Sequence, residues 1–285
     1  MTTSNELVVE GTPWEVYRVD GVPIHVKRED LSCPSPGPSF SKIRGVAAHI
    51  AKIKQDKGII PIGVLDTVHS KAGWGVSYIC NRLGMPCVDF YPVYKHERFE
   101  DGAVALVRHN QVMAQKLGAE LYSLPAGRSA ILYHKAKKMC EDGGGYMMPN
   151  ALKLKESVRE TEKEVINYTP KKLVGGTWVI SISSGTIAAG VIRGLAGMKR
   201  HSELDVVVHM GYSRSLNAVS KYMHDIGGAW ITNTDFVDEG FSYKDKIEYE
   251  VPFPCNPYYD LKAWRWTVEE IHTLRQPVIF WNIGA

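Results

Sequence analysis

Short apolar runs of strand length alternate along this chain with longer segments of helical period. That alternation constrains the fold more than any other feature of the sequence. The runs fall at 24–28, 59–65, 87–91, 120–123, 177–183, 205–210 and 278–281. The helix-length segments fall at 42–54, 74–83, 102–117, 128–140, 153–168, 186–198, 213–225 and 261–274. Several runs, such as that around Trp178, Val179 and Ile180, are apolar at consecutive positions. A strand reads that way when both faces are covered, as in a parallel sheet flanked by helices. The expectation is an α/β fold with open, largely parallel sheets. In such sheets ligands bind beyond the carboxyl ends of strands, so strand-to-helix loops are where chemistry is sought.

The 285 residues suffice for one large domain or two modest ones. The 34 basic residues nearly balance 31 acidic ones, for a net charge of +3. Bulk charge therefore argues for neither nucleic-acid nor membrane binding, and nucleic acid would need a local patch. No run is apolar enough to span a membrane, and the opening MTTSNELVVEG lacks the pattern of a signal peptide. Five cysteines without a C-x-x-C pair point to a reducing, cytoplasmic setting and away from structural zinc. Ten histidines are scattered, so an organic cofactor is expected rather than a metal. The charged segment 153–168, with Glu156, Arg159, Glu160, Glu162, Lys163 and Glu164, reads as a solvated helix face.

Three loops carry candidate chemistry. The first runs from Lys27 through a Ser/Pro/Gly stretch to Lys42, at an expected helix start. The positive end of a helix disfavours a cation, which favours the neutral, nucleophilic amine; a surface lysine is the plainer reading. The second, Asp66 to Gly73, places His69, Ser70 and Lys71 at a strand end and helix start, suited to an anion or to simple capping by Ser70. The third, Ser181 to Thr186, offers Ser183, Ser184, Gly185 and Thr186 to a phosphate. It is not a Walker A loop, because no Gly-Lys-Ser/Thr follows.

Together these loops resemble the fold-type-II, tryptophan-synthase-β-like pyridoxal-phosphate enzymes. The nearest likeness is to the aminocyclopropane-carboxylate deaminase and D-cysteine desulfhydrase branch. Lys27–Leu31 (KREDL) resembles that branch's K-R-[ED]-D-L, and Ser39–Gly45 (SFSKIRG) resembles its lysine motif. Asn110–Leu121 resembles a family helix ending in L-G-A-E, and Gly145–Pro149 (GYMMP) its G-Y-x-x-P. Asn256–Ala263 (NPYYDLKA) resembles D-P-V-Y-x-x-K-A, and Phe280–Ala285 (FWNIGA) resembles F-W-H-T-G-G. The likeness covers nearly the whole chain in order.

The resemblance implies two open, mostly parallel sheets with pyridoxal 5'-phosphate between a large domain, 1–44 and 142–285, and a small one, 45–141. It implies that Lys42 holds the cofactor as a Schiff base and that Ser183, Ser184, Gly185 and Thr186 hold its phosphate. Ser70 is implied at the catalytic centre, and His69, Lys71, Tyr258 and Tyr259 at the substrate. A homodimer is left open. The chain departs from the branch at Lys71-Ala72-Gly73, where S-N-H-T or similar is usual, and at Ser183 and Ser184, where glycines are usual. In these features it resembles short pyridoxal-phosphate enzymes of bacteriophages that act in thymine hypermodification. A loop stripped of its usual carboxylate donors points to decarboxylation of a glycyl or seryl group on a thymine nucleotide or DNA. In that case His69, Lys71, Arg44 or Lys262 would meet phosphate. Deamination or β-elimination of a small amino acid such as aminocyclopropane carboxylate or D-cysteine is the alternative, and a non-catalytic cofactor-binding protein a third.

Overall fold

The structure is a computed structural model that describes residues 7–97, 107–198 and 203–284. It divides into two compact units. Among the described residues, one comprises 7–33, 39–45 and 155–284, the other 34–38 and 46–154.

The first unit is built on a six-stranded sheet. Its strands are β1 (Trp14–Val19), β2 (Val22–Arg28), β7 (Gly176–Ile182), β8 (Leu204–Met210), β9 (Thr234–Val237) and β10 (Val278–Asn282), in the order β1-β2-β10-β7-β8-β9. All neighbours are parallel except the β1–β2 hairpin. The hairpin turns at Asp20 and Gly21, both at positive φ, so that Val19 pairs with Val22. Such a turn matches the twist of the two strands.

Alternation within the central strands explains their unbroken apolar character. Trp178, Ile180 and Ile182 enter one core with Ile279 and Trp281, beneath α5 (Lys155–Tyr168), α6 (Thr186–Ala196) and α7 (Leu216–Gly227). Val179, Val278 and Phe280 enter the opposite core with Leu261, Ala263 and Trp264 of α8 (Asp260–Glu269). Both faces of the sheet are covered, as the sequence requires.

The second unit carries a four-stranded parallel sheet of β3 (Ile62–Leu65), β4 (Cys87–Val93), β5 (Glu120–Pro125) and β6 (Tyr146–Met147), ordered β5-β4-β3-β6. Its helices include α2 (Ala72–Leu83), α3 (His109–Lys116) and α4 (Ser129–Asp142). Leu65, Phe90, Leu124, Leu132, Ala136 and Met147 form its core. β6 pairs with β3, so the chain returns to the first unit at 154/155 rather than at the 141/142 read from the sequence. The helix α1 (Ile43–Lys57) begins in the first unit and continues into the second.

The helix expected at 102–117 is helical over α3, and its 102–106 portion lies outside the described residues. The charged helix α5 is only partly a solvated face: Glu164 on it is 2% exposed. Its carboxylate meets Lys27, Arg44 and the backbone of Gly11 and Thr12, partners far away in sequence. Among the described residues no helix is long and apolar enough to cross a membrane.

Candidate active site

Lys42 lies in a turn immediately before α1 and is half-buried. The strand preceding it is fixed from both ends of the chain. Ser41 N–H donates to Ile283 O at 3.1 Å, and Phe40 forms an antiparallel bridge with Gly284. Asn282 Nδ2 donates to Asp30 Oδ1 at 2.9 Å, and Arg28 grips the same carboxylate from Nε and Nη2 at 2.9 and 2.8 Å. The KREDL and closing FWNIG motifs therefore meet at the lysine's own segment. Beyond it, Arg44 donates to Glu29 Oε2 at 2.6 Å and to Val9 O at 2.8 Å. At Gly45 the helix presses on Ser157, whose Cα would lie 2.3 Å from any Cβ added there.

The Lys42 ammonium donates to Ser184 Oγ at 2.9 Å. Ser184 Oγ lies 3.1 Å from Thr186 Oγ1, which lies 2.8 Å from the Tyr222 hydroxyl. These hydroxyls sit where β7 ends and α6 begins, and a helix N-terminus favours an anion. Gly185 turns the loop at φ +87°, where a Cβ would also meet Met223 Cγ at 2.8 Å. Tyr259 hydrogen-bonds Ser183 and Tyr243, and burial pushes its phenol well above the ordinary value. Tyr258 is placed on the same turn, its N–H donating to Asn256 Oδ1 at 2.9 Å. An amine beside a hydroxyl loop at a helix start suits a cofactor with an aldehyde and a phosphate.

The second unit holds His69, Ser70 and Lys71 between β3 and α2. Lys71 takes the capping position without a side-chain cap, and the helix start is satisfied by others. Ala72 N–H donates to Ser70 Oγ at 3.0 Å, and Gly73 N–H donates to Asp66 Oδ1 at 3.0 Å. From α3, Gln111 Nε2 donates to Asp66 Oδ2 at 2.9 Å and Asn110 Nδ2 to Ser70 O at 2.7 Å. Burial raises Asp66 to about 6, against the pull of its hydrogen bonds from Gly73, Ser70, Gln111 and Ala72. Burial and the charge of Asp66 raise Asp89 far above the carboxylate range. Neither Asp89 oxygen has a hydrogen-bond partner among the described residues. Asp66 keeps the hydrogen bonds and Asp89 takes the proton.

The arrangement corrects two sequence expectations. Arg44 is buried in ion pairs with Glu29 and Glu164, and Lys262 is 0% exposed with Nζ on Gly211 O at 2.7 Å. Neither is available to a phosphate. Sequence reasoning also passed over Asp66, Asp89, Asn110, Gln111 and Tyr222. An acidic residue ending a strand just before a helix start was the one usable signal, at Asp66.

The buried acids set a pH dependence. Both bind a proton more tightly in the folded than in the unfolded chain. Their protonated forms therefore stabilise the fold at low pH, and that stability is lost as pH rises towards and through the folded pKa. Asp89→Asn removes one such proton. Its denaturant stability is expected to fall less steeply than wild type between pH 5 and 7, by about 1 kcal/mol per pH unit. Identical slopes would show that Asp89 does not bind its proton more tightly on folding.

Residues 7–225 match the profile of the pyridoxal-phosphate dependent enzymes, and the chain belongs to that family. Its cofactor is pyridoxal phosphate. It is 49% identical over 287 residues, 98% of this chain and 100% of the relative, to a "Glycyl-dTMP PLP-dependent decarboxylase" of Pseudomonas phage M6. Among solved structures it resembles an ACC deaminase homologue, with TM-score 0.75 and 18% identity, over 100% of this chain and 95% of that one. It also resembles a hydrogen sulfide-producing enzyme of Fusobacterium nucleatum, with TM-score 0.65 and 13% identity, over 100% and 96%. At such identities the two structures speak for the fold alone.

Proposed function

We propose that this chain decarboxylates a glycyl group carried on a thymidine nucleotide. The phage relative supports the substrate. The reaction rests on one observation, the loop from Asp66 to Gly73. There the N–H groups of Ala72 and Gly73 are engaged by Ser70 Oγ and Asp66 Oδ1. Backbone donors turned inward in this way cannot grip a substrate carboxylate. A carboxylate left ungripped is able to depart as carbon dioxide, while a proton takes its place on the α-carbon and the amine stays.

Pyridoxal phosphate, once bound, supplies the sink for the electron pair left behind. Lys42 is assigned to its aldehyde, and Ser183, Ser184, Gly185 and Thr186 to its phosphate. Ser70, whose hydroxyl is bonded to Asp66, is assigned to the reacting end. His69, Lys71, Tyr258 and Tyr259 are assigned to the substrate. Burial and the charge of Arg108 hold the His69 pKa below its ordinary value. It therefore works at neutral pH as a neutral imidazole, able to hold or pass a proton without adding charge.

The test follows carbon dioxide and ammonia together on glycyl-dTMP. Carbon dioxide with the amine retained is expected, and ammonia release would reject the reading. Lys71→Asn restores the residue usual in the deaminase branch. It is expected to depress decarboxylation by about tenfold, about 1.4 kcal/mol, with cofactor retention unchanged. A wild-type rate would show that the loop's composition is incidental.

A further inference from the structure

We infer that Arg214 is a receptor for a phosphate monoester dianion, one that acts beside the Ser183–Thr186 loop. The loop following β8 carries it. Gly211 N–H donates to Ile182 O at 3.0 Å, so this loop starts against the end of β7, next to Ser183. Ser215 then caps α7 through Ala218 N–H. The Arg214 guanidinium lies over the Tyr212 ring, 5.2 Å from its centroid. Stacking on an aromatic face fixes the plane in which its fork of donors points.

Its Nη2 is buried and has no hydrogen-bond partner among the described residues. A buried charged donor left unsatisfied is costly, and a native structure that keeps one has a reason for it. Five other cations of this unit are committed. Lys27 and Arg44 are paired within the buried network, Arg28 with Asp30 and Glu15, Arg265 with Glu239, and Lys262 bonds the Gly211 carbonyl.

The hydroxyl loop itself supplies only neutral donors and a helix end, whereas a phosphate monoester carries nearly two charges. Arg214 is electrostatically in touch with that loop. Its charge favours the ionised form of Tyr222, although burial dominates and raises that phenol overall. The Tyr222 hydroxyl is the one that meets Thr186. Tyr212, Tyr243 and Tyr259 follow one another at centroid separations of 5.2 and 6.4 Å, and Tyr259 bonds Ser183. Arg214 stacks on the first ring of a row whose last ring bonds the hydroxyl loop.

Two phosphate monoesters share this chemistry: the cofactor's own, and the 5'-phosphate of the nucleotide, which rests on the proposed substrate. Binding distinguishes them without turnover, so an enzyme that released ammonia would still answer the test. Apoprotein is titrated with pyridoxal phosphate against pyridoxal, and holoenzyme with dTMP against thymidine. Arg214→Gln is expected to cut the preference for the phosphorylated partner by about tenfold or more in one pair, with Arg214→Lys recovering part. A fall in the first pair assigns the cofactor's phosphate, and a fall in the second the nucleotide's. Both preferences intact in a folded Arg214→Gln protein would overturn the inference.

A measurement on the unmodified protein guards against a variant that fails to fold. Phenylglyoxal labelling of Arg214, mapped by mass spectrometry, is expected to slow with pyridoxal phosphate or dTMP and not with pyridoxal or thymidine. Equal labelling under all four ligands overturns the inference as well.

Discussion

Lys42→Ala is expected to be a folded, colourless protein whose turnover is lower by about 10³-fold or more. The visible band of the bound cofactor should be absent. Borohydride treatment of the unaltered enzyme should leave a pyridoxyl group on Lys42 and nowhere else. The reason lies in what the other nearby lysines are doing. Lys27 is 0% exposed, with Nζ held by Thr12 O at 2.7 Å and Glu164 Oε1 at 2.6 Å. Lys262 is equally buried and held on Gly211 O. Moving either to an aldehyde would leave a carboxylate or a carbonyl unsatisfied in the interior, at a cost that neutral hydrogen bonds do not repay. Lys42 is only half-buried, and it donates to a serine hydroxyl, a bond it can exchange cheaply. Its replacement by alanine leaves the buried group of Lys27, Arg44, Glu29 and Glu164 in place, so melting should be little altered. A yellow Lys42→Ala protein with most of its activity would overturn the assignment.

Much of the architecture was legible because the central strands are buried on both faces. Trp178 to Ile182 and Val278 to Trp281 cannot be read as alternating strands, and the sheet shows why: successive residues enter different cores. β1 was not read, although Asp20-Gly21 is a strong hairpin signal, because Glu15 and Arg18 dilute its apolar character at an edge of the sheet. β6 escaped because it is two residues long. The order of motifs along the chain marked Lys42 and the hydroxyl loop as candidates. The residues that hold the Asp66–Gly73 loop were not legible. Gln111 reaches Asp66 across 45 positions and Asn110 reaches Ser70 across 40, and no local pattern marks such pairs. Arg214 looks in sequence like any loop arginine, and only the burial of its Nη2 without a partner among the described residues singles it out.

Glu164 is the clearest case of a residue whose role the sequence conceals, and its removal should have the largest effect on stability. In a helix dense with charge it looks solvated, yet its side chain is 1% exposed. Oε1 accepts from Lys27 Nζ at 2.6 Å and Thr12 N at 2.9 Å, while Oε2 accepts from Gly11 N at 3.0 Å and pairs with Arg44 Nη2 at 3.3 Å. Within this buried group two cations, Lys27 and Arg44, balance two carboxylates, Glu29 and Glu164. Trp14 and Trp281 add ring faces 5.4 and 5.9 Å from the Lys27 nitrogen, which soften but do not neutralise its charge. Glu164→Ala leaves one buried positive charge without a counterpart and two backbone donors without an acceptor. The expected loss is about 3–5 kcal/mol in denaturant unfolding. Glu164→Gln, which keeps the shape and an acceptor, should lose less. Because Arg44 follows Lys42 by two residues, the same change should also loosen the cofactor's attachment segment and raise the pyridoxal phosphate dissociation constant. Replacing Lys27 and Glu164 together by apolar residues of similar size should recover much of the stability, since the penalty lies in breaking the pair rather than in lacking it. A Glu164→Ala protein with wild-type unfolding would mean that Lys27 and Arg44 find other compensation, and that the buried network does not hold the lysine's segment in place.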